Sequence, residues 1–407
     1  MKSLLLAVAA TALLAGCATA GGQQQPAQTA QAQQPSSPRA ADPYPSTYRA
    51  YPGVVTAITN ATIFDGEGGR IDNGTIVLAE GRILAVGGAD TAIPEGATRI
   101  DGNGRWVTPG VIDIHSHLGD YPSPSVEAHQ DGNEVTSPVR PEVWAEHSIW
   151  PQDPGFSRAL ANGGITTLHV LPGSANLFGG RGVTLRNVPG RTVQSMRFPG
   201  APRSLKMACG ENPKRVYGNR NQMPGTRMGN IALMRSTWQR AVEYRDRIRR
   251  DPNTPRDMAL ETLVEVLDGD ILVQNHCYRA DEMAIMLDMA EEFGFHIASF
   301  HHAVEAYKIA DLLRESGTCA SMWADWYGFK MESYDGIPEN LPILHNKGAC
   351  GIIHSDDQNG IQRLNQEVAK ALASGRRAGI DVSDEVAWTW LAIGPARRSA
   401  SPTRPAA

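Results

Sequence analysis

A chain of 407 residues, 41% hydrophobic and 20% charged, is long enough to bury one barrel of about 250 residues with a smaller unit beside it. Its formal net charge of -5 argues against a nucleic-acid binder, which carries a basic patch. The one dense basic run, RDRIRRD at 245–251, falls in a helical pattern and reads as a solvated face.

The N-terminus reads as a targeting segment. Lys2 is followed by LLLAVAATALLAGC, too short for a comfortable membrane span but right for the apolar stretch of a signal peptide. LLAGC resembles a bacterial lipobox, so residues 1–16 are expected to be removed and Cys17 to carry lipid. An ordinary secretory signal that contains Cys17 is the alternative. Ala18 and Thr19 follow without the aspartate that resembles an inner-membrane retention signal, so the expected location is the outer membrane facing the periplasm, or else the soluble periplasm. Residues 17–50, with GGQQQPAQTAQAQQPSSPRAADPYP, have almost nothing to bury and read as a disordered tether.

Residues 51–105 read as a small β unit. VVTAITNATIFDGEGGRIDNGTIVLAEGRILAVGG (54–88) alternates with period two and is punctuated by Gly, Asn and Asp turns. From 106 to 393 apolar strands alternate with amphipathic helices. The strand candidates are GVIDIHSH, GITTLHVLPG, GVTLRN, SLKMACGE, DILVQNH, FHIASFHH, TCASMWAD and ACGIIHSDD. PRDMALETLVEVLDG, RADEMAIMLDMAEEFG, AVEAYKIADLLRESG and LNQEVAKALASGRRAG repeat apolar residues at helical spacing, and several end at Gly. Eight strands alternating with helices predict an α/β fold: a parallel, TIM-like (β/α)8 barrel beside the small β unit. Cys209, Cys277, Cys319 and Cys350 lie in or beside apolar runs without CxxC spacing. They are expected to be small buried apolar residues, with pairing open in an oxidising compartment.

The C-terminal ends of barrel strands carry chemistry, so polar residues there stand out. In VIDIHSH the imidazoles of His115 and His117 share one strand face about 6 to 7 Å apart. SLKMACGE ends in Glu211, DILVQNH in His276, FHIASFHH in His301 and His302, and ACGIIHSDD in Asp356 and Asp357, with His354 just before. Neutral imidazoles and carboxylates suit zinc and similar divalent ions. One such residue is unremarkable; five strand ends behaving alike are not.

The pieces VTPGVIDIHSH, GENPKRVYG, QNHCYRADEM, HHAVEAYKIADLL and HSDD, preceded by ITNATIFDG and GTIVLAEGRILAVGG, occur in an order that resembles the amidohydrolase superfamily. The likeness is to its imidazolonepropionase-like and dipeptidase-like branch and runs from about residue 54 to 393. It implies a metal-dependent hydrolase in which metal-bound hydroxide attacks the carbonyl of an amide or peptide, with one or two zinc ions per chain. By this resemblance His115 and His117 are strand-1 ligands and His276 the strand-5 ligand. His302 is the strand-6 ligand, because HAVEAY begins there, while His301 faces away. Asp356 is ligand and proton shuttle, and Asp357 faces away. For the bridging position only one of Glu211 and a carboxylated Lys206 can look into the barrel, and Glu211 is preferred because it stands at the strand's end before Asn212-Pro213. Tyr278 and Arg279 are candidates for substrate contact or for plain helix-start residues. His129, His147 and His169 are further candidates, the last also readable as core.

The text departs from the resemblance at its end. WLAIGPARRSASPTRPAA has Gly394 where an Asn is expected. Residues 394–407 read as a disordered tail, with the return strands of the small β unit missing. Three readings follow: a hydrolase of a small amide or peptide, a heterocycle hydrolase or deaminase on the same site, or a non-catalytic metal-binding lipoprotein on a decayed scaffold. The expected partners are a small substrate and, through lipid alone, a membrane, with homo-oligomers left open.

Overall fold

The structure, a computed structural model, describes residues 42–400, the side chains of 398–400 excepted. Cys17 and the signal segment lie outside the described residues. Among the described residues no helix is long and apolar enough to cross a membrane.

The small unit is a five-stranded sheet of β1 (Thr56–Phe64), β2 (Arg70–Ala79), β3 (Arg82–Gly87), β4 (Thr98–Asp101) and β5 (Trp106–Val107). Its order is β3-β2-β1-β4, with β5 also paired to β1. Ala61, Ile63 and Ile76 form its core. Trp106 and Val107 pair with Thr62 and Ile63, so the small unit extends two residues beyond the expected boundary at 105.

All eight barrel strands foreseen in the sequence exist: β6 (Val111–Ser116), β7 (Ile165–Val170), β8 (Phe178–Arg186), β9 (Arg203–Ala208), β10 (Ile271–Cys277), β11 (Ile297–His302), β12 (Cys319–Met322) and β13 (Gly351–Ile353). They form one sheet in the order β13-β12-β11-β10-β9-β8-β7-β6, curled until its ends nearly meet. The seam is stitched by Asp113, whose carboxylate accepts from the Ser355 amide at 3.1 Å and the Ser355 hydroxyl at 2.5 Å, and by the Asp356 amide donating to the His115 carbonyl at 2.9 Å.

One expectation is corrected. The strand over GVTLRN runs antiparallel to both neighbours, with Leu168 opposite Leu185 and Arg181 opposite Leu205. The connection 171–177 is too short for a crossover helix, so the chain can only turn back. The other strands are parallel and buried on both faces; every residue of β10 is buried.

The helices follow their signals. Asp153 caps Pro154–Gly163 by accepting from the Gly155 amide, and Gly164 ends it in the left-handed region. RDRIRRD lies at the end of helix Arg227–Arg250, where Arg249 pairs with Asp268 on the surface. Helix Ile393–Ala400 occupies the start of the tail expected to be disordered, and its Gly394 amide bonds the Thr389 carbonyl.

Two further expectations fail. The cysteines are paired: Cys209 with Cys277, and Cys319 with Cys350. Each bridge ties neighbouring parallel strands, which bring residues remote in sequence within bonding reach. The last part of the expected tether is a docked strap. The Thr47 amide donates to the Gln194 carbonyl at 2.9 Å, Tyr44 meets Trp144 edge-on, Arg186 covers the Tyr48 ring, and the Tyr51 hydroxyl bonds the Pro189 carbonyl. Its aromatic side chains supply the apolar surface that the preceding Gln- and Pro-rich stretch lacks.

Candidate metal centre

The strand ends bring His115, His117, Lys206, His276, His302 and Asp356 into one cluster. His115 and His117 rings lie 5.0 Å apart, His115 and His302 rings 4.9 Å, and His276 and His302 rings 4.6 Å. Two overlapping sets could hold a cation: His115 with His117 and Asp356, and His115 with His302 and His354.

The hydrogen bonds decide which nitrogen each ring offers. His117 Nδ1 lies 2.7 Å from the Leu171 carbonyl, which only accepts, so that nitrogen carries the proton and Nε2 is left bare. On the barrel floor Gln274 presents Oε1 to His301 Nε2 at 2.7 Å. His301 therefore donates from Nε2 and accepts at Nδ1, which lies 3.0 Å from His115 Nδ1. That makes His115 the donor at Nδ1 and bares its Nε2. Residues behind the ligands thus aim both lone pairs inward.

What faces them tests whether a metal fits. Asp356 Oδ1 lies 3.0 Å from His117 Nε2 and 3.4 Å from His115 Nε2, and Oδ2 lies 3.8 Å from His302 Nε2. A carboxylate oxygen against two ring nitrogens that carry no proton is repulsive, relieved at His115 only by the Lys206 Nζ 3.0 Å from its Nε2. A divalent cation between them removes the repulsion. The buried Nδ1 atoms of His276 and His302 have no hydrogen-bond partner. The donor set and its unmet polarity fit a zinc-like ion.

Burial, then the Lys206 ammonium, holds His115 well below the usual imidazole range. Burial, then the Lys330 charge, does the same to His276, and burial with the neighbouring His276 to His302. All three are therefore neutral at pH 7, the form in which an imidazole can hold a metal. Burial brings Lys206 down to about 7, while its Nζ sits 3.0 Å from His115 Nε2. Burial would raise Asp356, but the facing imidazoles and the nearby Lys206 charge win and keep its carboxyl below the usual range.

The backbone is bent to build this. His302, Ala303 and Asp356 hold φ of 73°, 33° and 55°, the left-handed region that non-glycine residues avoid. The bend breaks strand alternation, so neighbours His301 and His302 both look into the barrel. His301 was expected to face away; it instead supports His115.

An amidohydrolase from Thermotoga maritima MSB8 has the same fold, with a TM-score of 0.76 and 30% identity over 85% of this chain and 91% of that one. The chain belongs to the amidohydrolase superfamily. The amidohydrolase tasK of Hapsidospora irregularis is 31% identical over 350 residues, 75% of this chain but 35% of that protein, so this chain spans little more than a third of that relative's length. The imidazolonepropionase of Stenotrophomonas maltophilia is 53% identical over 57 residues, 13% of this chain and 14% of that one. No family model matches the chain.

Against the amidohydrolase pattern expected from sequence, two residues move out of the site. Glu211 opens helix Glu211–Gly218, and its carboxylate faces Lys330 at 3.9 Å. Lys206, five residues earlier and buried, takes the strand-4 place against His115, because Gly210 at φ 82° turns the chain away before Glu211. Arg279 is exposed and closes on Asp281 at 2.8 Å. Tyr278 stays, stacked on His302 at 5.0 Å. Asp357 lines the cavity while accepting from the Asn359 amide at 2.9 Å. His169 is a buried strand residue bonded to Ser204, His129 packs beside Trp150, and His147 stacks on Trp144. Gln274 and Trp323 were missed and carried no sequence signal; His354 was noted two residues before Asp356 but given no role.

A cavity of about 490 Å³ opens on the cluster, lined by His117, Tyr121, Gln130, Asn133, Ser174 and Asp356 among others. Its lining is mostly polar.

Proposed function

We propose that this amidohydrolase cleaves the C–N bond of a small amide or peptide at a divalent metal site, zinc by ligand type. The observation that carries the reading is the Asp356 carboxylate set against two bare imidazole nitrogens at the mouth of a cavity. His115, His117, His276, His302 and Asp356 would hold the metal, with Lys206 in the bridging place. When bound, such an ion makes water a stronger acid and polarises a carbonyl.

The residues supply the rest. Asp356 is ionised at neutral pH and partly open to the cavity, so it can take a proton from water and return it to the departing nitrogen, the general base and acid of one cycle. With a pKa near 7, Lys206 has an appreciable neutral fraction. Its neutral amine can add CO2 with loss of one proton, and the resulting anionic carbamate would offer the metal a further oxygen donor. The Gln274–His301–His115 relay keeps the first ligand aimed.

Two disulfides support residence in an oxidising compartment, and we propose export to the periplasmic face of the outer membrane through lipid on Cys17. A cyclic amide is the second substrate reading, favoured by the stretch 53% identical to an imidazolonepropionase.

The test is metal content and turnover of a panel of dipeptides, acylated amino acids and cyclic amides, for wild type and Asp356→Asn. The expected result is metal retained by wild type, C–N cleavage of at least one class, and a loss of about 10²-fold or more in Asp356→Asn. Folded wild type that retains no metal overturns the reading and leaves the decayed scaffold.

A further inference from the structure

The chain folds back on itself as it leaves β6. The amides of Asp120 and Tyr121 both donate to the His117 carbonyl, at 3.1 and 3.0 Å. This turn lays the Tyr121 ring edge-on to the His117 ring at 5.5 Å. Tyr121 thereby reaches the cavity wall together with His117 and Asp356. Neither the ligand set nor the proton shuttle makes use of it.

Asn133 decides where the phenol's proton goes. Its Oδ1 accepts from the Ala175 amide at 3.0 Å, which leaves Nδ2 to donate to the Tyr121 hydroxyl. That hydroxyl still has its own O–H to give, and among the described residues none accepts it. Two glycines build the pair into place. A Cβ on Gly132 would stand 2.3 Å from Tyr121 Cζ and 2.5 Å from its hydroxyl, and one on Gly173 would stand 2.1 Å from Asn133 Nδ2. Neither glycine has a positive φ, so close approach is what each supplies. The Gly173 amide donates to the Gly132 carbonyl at 2.7 Å and ties the two stretches of chain together. An unspent donor is thus held rigidly on the wall of the cavity, beside the proposed ligands.

We propose that Tyr121 is a catalytic hydrogen-bond donor to the carbonyl oxygen of the scissile amide, with Asn133 as the positioning residue that turns its proton into the cavity. The proposal rests on the amide-hydrolase reading above. As water adds, its oxygen bonds to the carbonyl carbon, its proton passes to Asp356 and the carbonyl electron pair moves onto oxygen. That oxygen becomes a stronger acceptor, so a donor fixed beforehand binds it harder than it binds the planar amide. Tyr121 keeps its proton throughout. The departing nitrogen takes the proton held by Asp356 as the C–N bond breaks.

The test measures zinc content, calorimetric binding of methylphosphonate as a tetrahedral oxyanion, and turnover of the amide panel. The proteins are zinc-loaded wild type, Tyr121→Phe, Asn133→Ala and the double variant. Tyr121→Phe keeps the ring against Gly132 and should hold wild-type zinc. It should bind methylphosphonate at least about tenfold more weakly and lose about 10²-fold in kcat, with KM within about threefold. Asn133→Ala should weaken methylphosphonate in the same direction, and should cost nothing further once Tyr121 is Phe, a non-additivity that a merely structural role would not give. No methylphosphonate binding by wild type, binding by Tyr121→Phe within twofold of wild type, a loss confined to KM, or additive effects of the two variants overturns the proposal. A methylphosphonate difference without turnover of any amide would keep the donor and sink the hydrolase reading. Full turnover in Tyr121→Phe would do the reverse.

Discussion

Gln274→Leu removes the acceptor at the foot of the relay. His301 Nε2–H then has no partner, and a buried donor left unmade costs about 1–3 kcal/mol. His301 can escape by moving its proton to Nδ1, but that nitrogen faces His115 Nδ1 at 3.0 Å. His115 must then accept there and carry its own proton on Nε2, where the metal belongs. The metal-free protein takes that escape and metal binding must reverse it, so roughly the same 1–3 kcal/mol is charged to binding, a Kd weaker by about 5- to 150-fold. Stability should move the other way or stay level, because Gln274 Nε2 has no partner and leucine removes it. Gln274→Glu can only accept when ionised, so it should hold the tautomers and bind zinc at least as tightly as wild type. Competition against a chelator gives the Kd and urea unfolding the stability. A Gln274→Leu Kd within twofold of wild type, or a Gln274→Glu variant weaker than Gln274→Leu, refutes the relay and its polarity.

Three further outcomes are expected. Lys206→Met should lower metal per chain and abolish any stimulation of reconstitution by bicarbonate, whereas Glu211→Ala should retain wild-type metal content by elemental analysis. Asp113 has its pKa raised by burial from 3.8 to about 7, so the folded state holds its proton more tightly than the unfolded chain. The stability this adds is complete below pH 4 and is lost by pH 7, about 4 kcal/mol in all, and Asp113→Asn should flatten that part of the urea-measured profile. Replacing Cys319 and Cys350 together by Ala opens a crosslink across a separation of 31 residues, for which chain entropy predicts about 4 kcal/mol of lost stability; a loss under about 1 kcal/mol would reject the entropic account.

Much of the site was legible because strand ends and ligand chemistry are both local signals. His115, His117, His276, His302 and Asp356 follow from apolar runs that stop at imidazole or carboxylate. What was not legible depends on bends. Alternation excluded His301 only if β11 stays regular, and the left-handed φ at His302 voids that premise. Glu211 was preferred over Lys206 because a strand end was assumed to point inward, but Gly210 ends the strand first. The reversal of β8 was present in the text as the short LPGSANL connection, overlooked because eight strands invited an all-parallel barrel. The disulfides depend on strand adjacency, which spacing along the chain does not encode.

The reversed strand has a consequence for where the protein can be cut. With no crossover helix over 171–177, the ground at and after the end of β8, at Arg186, Pro189, Gln194 and Arg197, is roofed by the strap of residues 42–51 instead. That strap has no sheet partner of its own, so it is a natural first element to detach in native-state hydrogen exchange. A recombinant version that starts beyond Tyr51 would keep every proposed ligand and lose its roof, trading a tidy N-terminus for an uncovered aromatic wall and self-association.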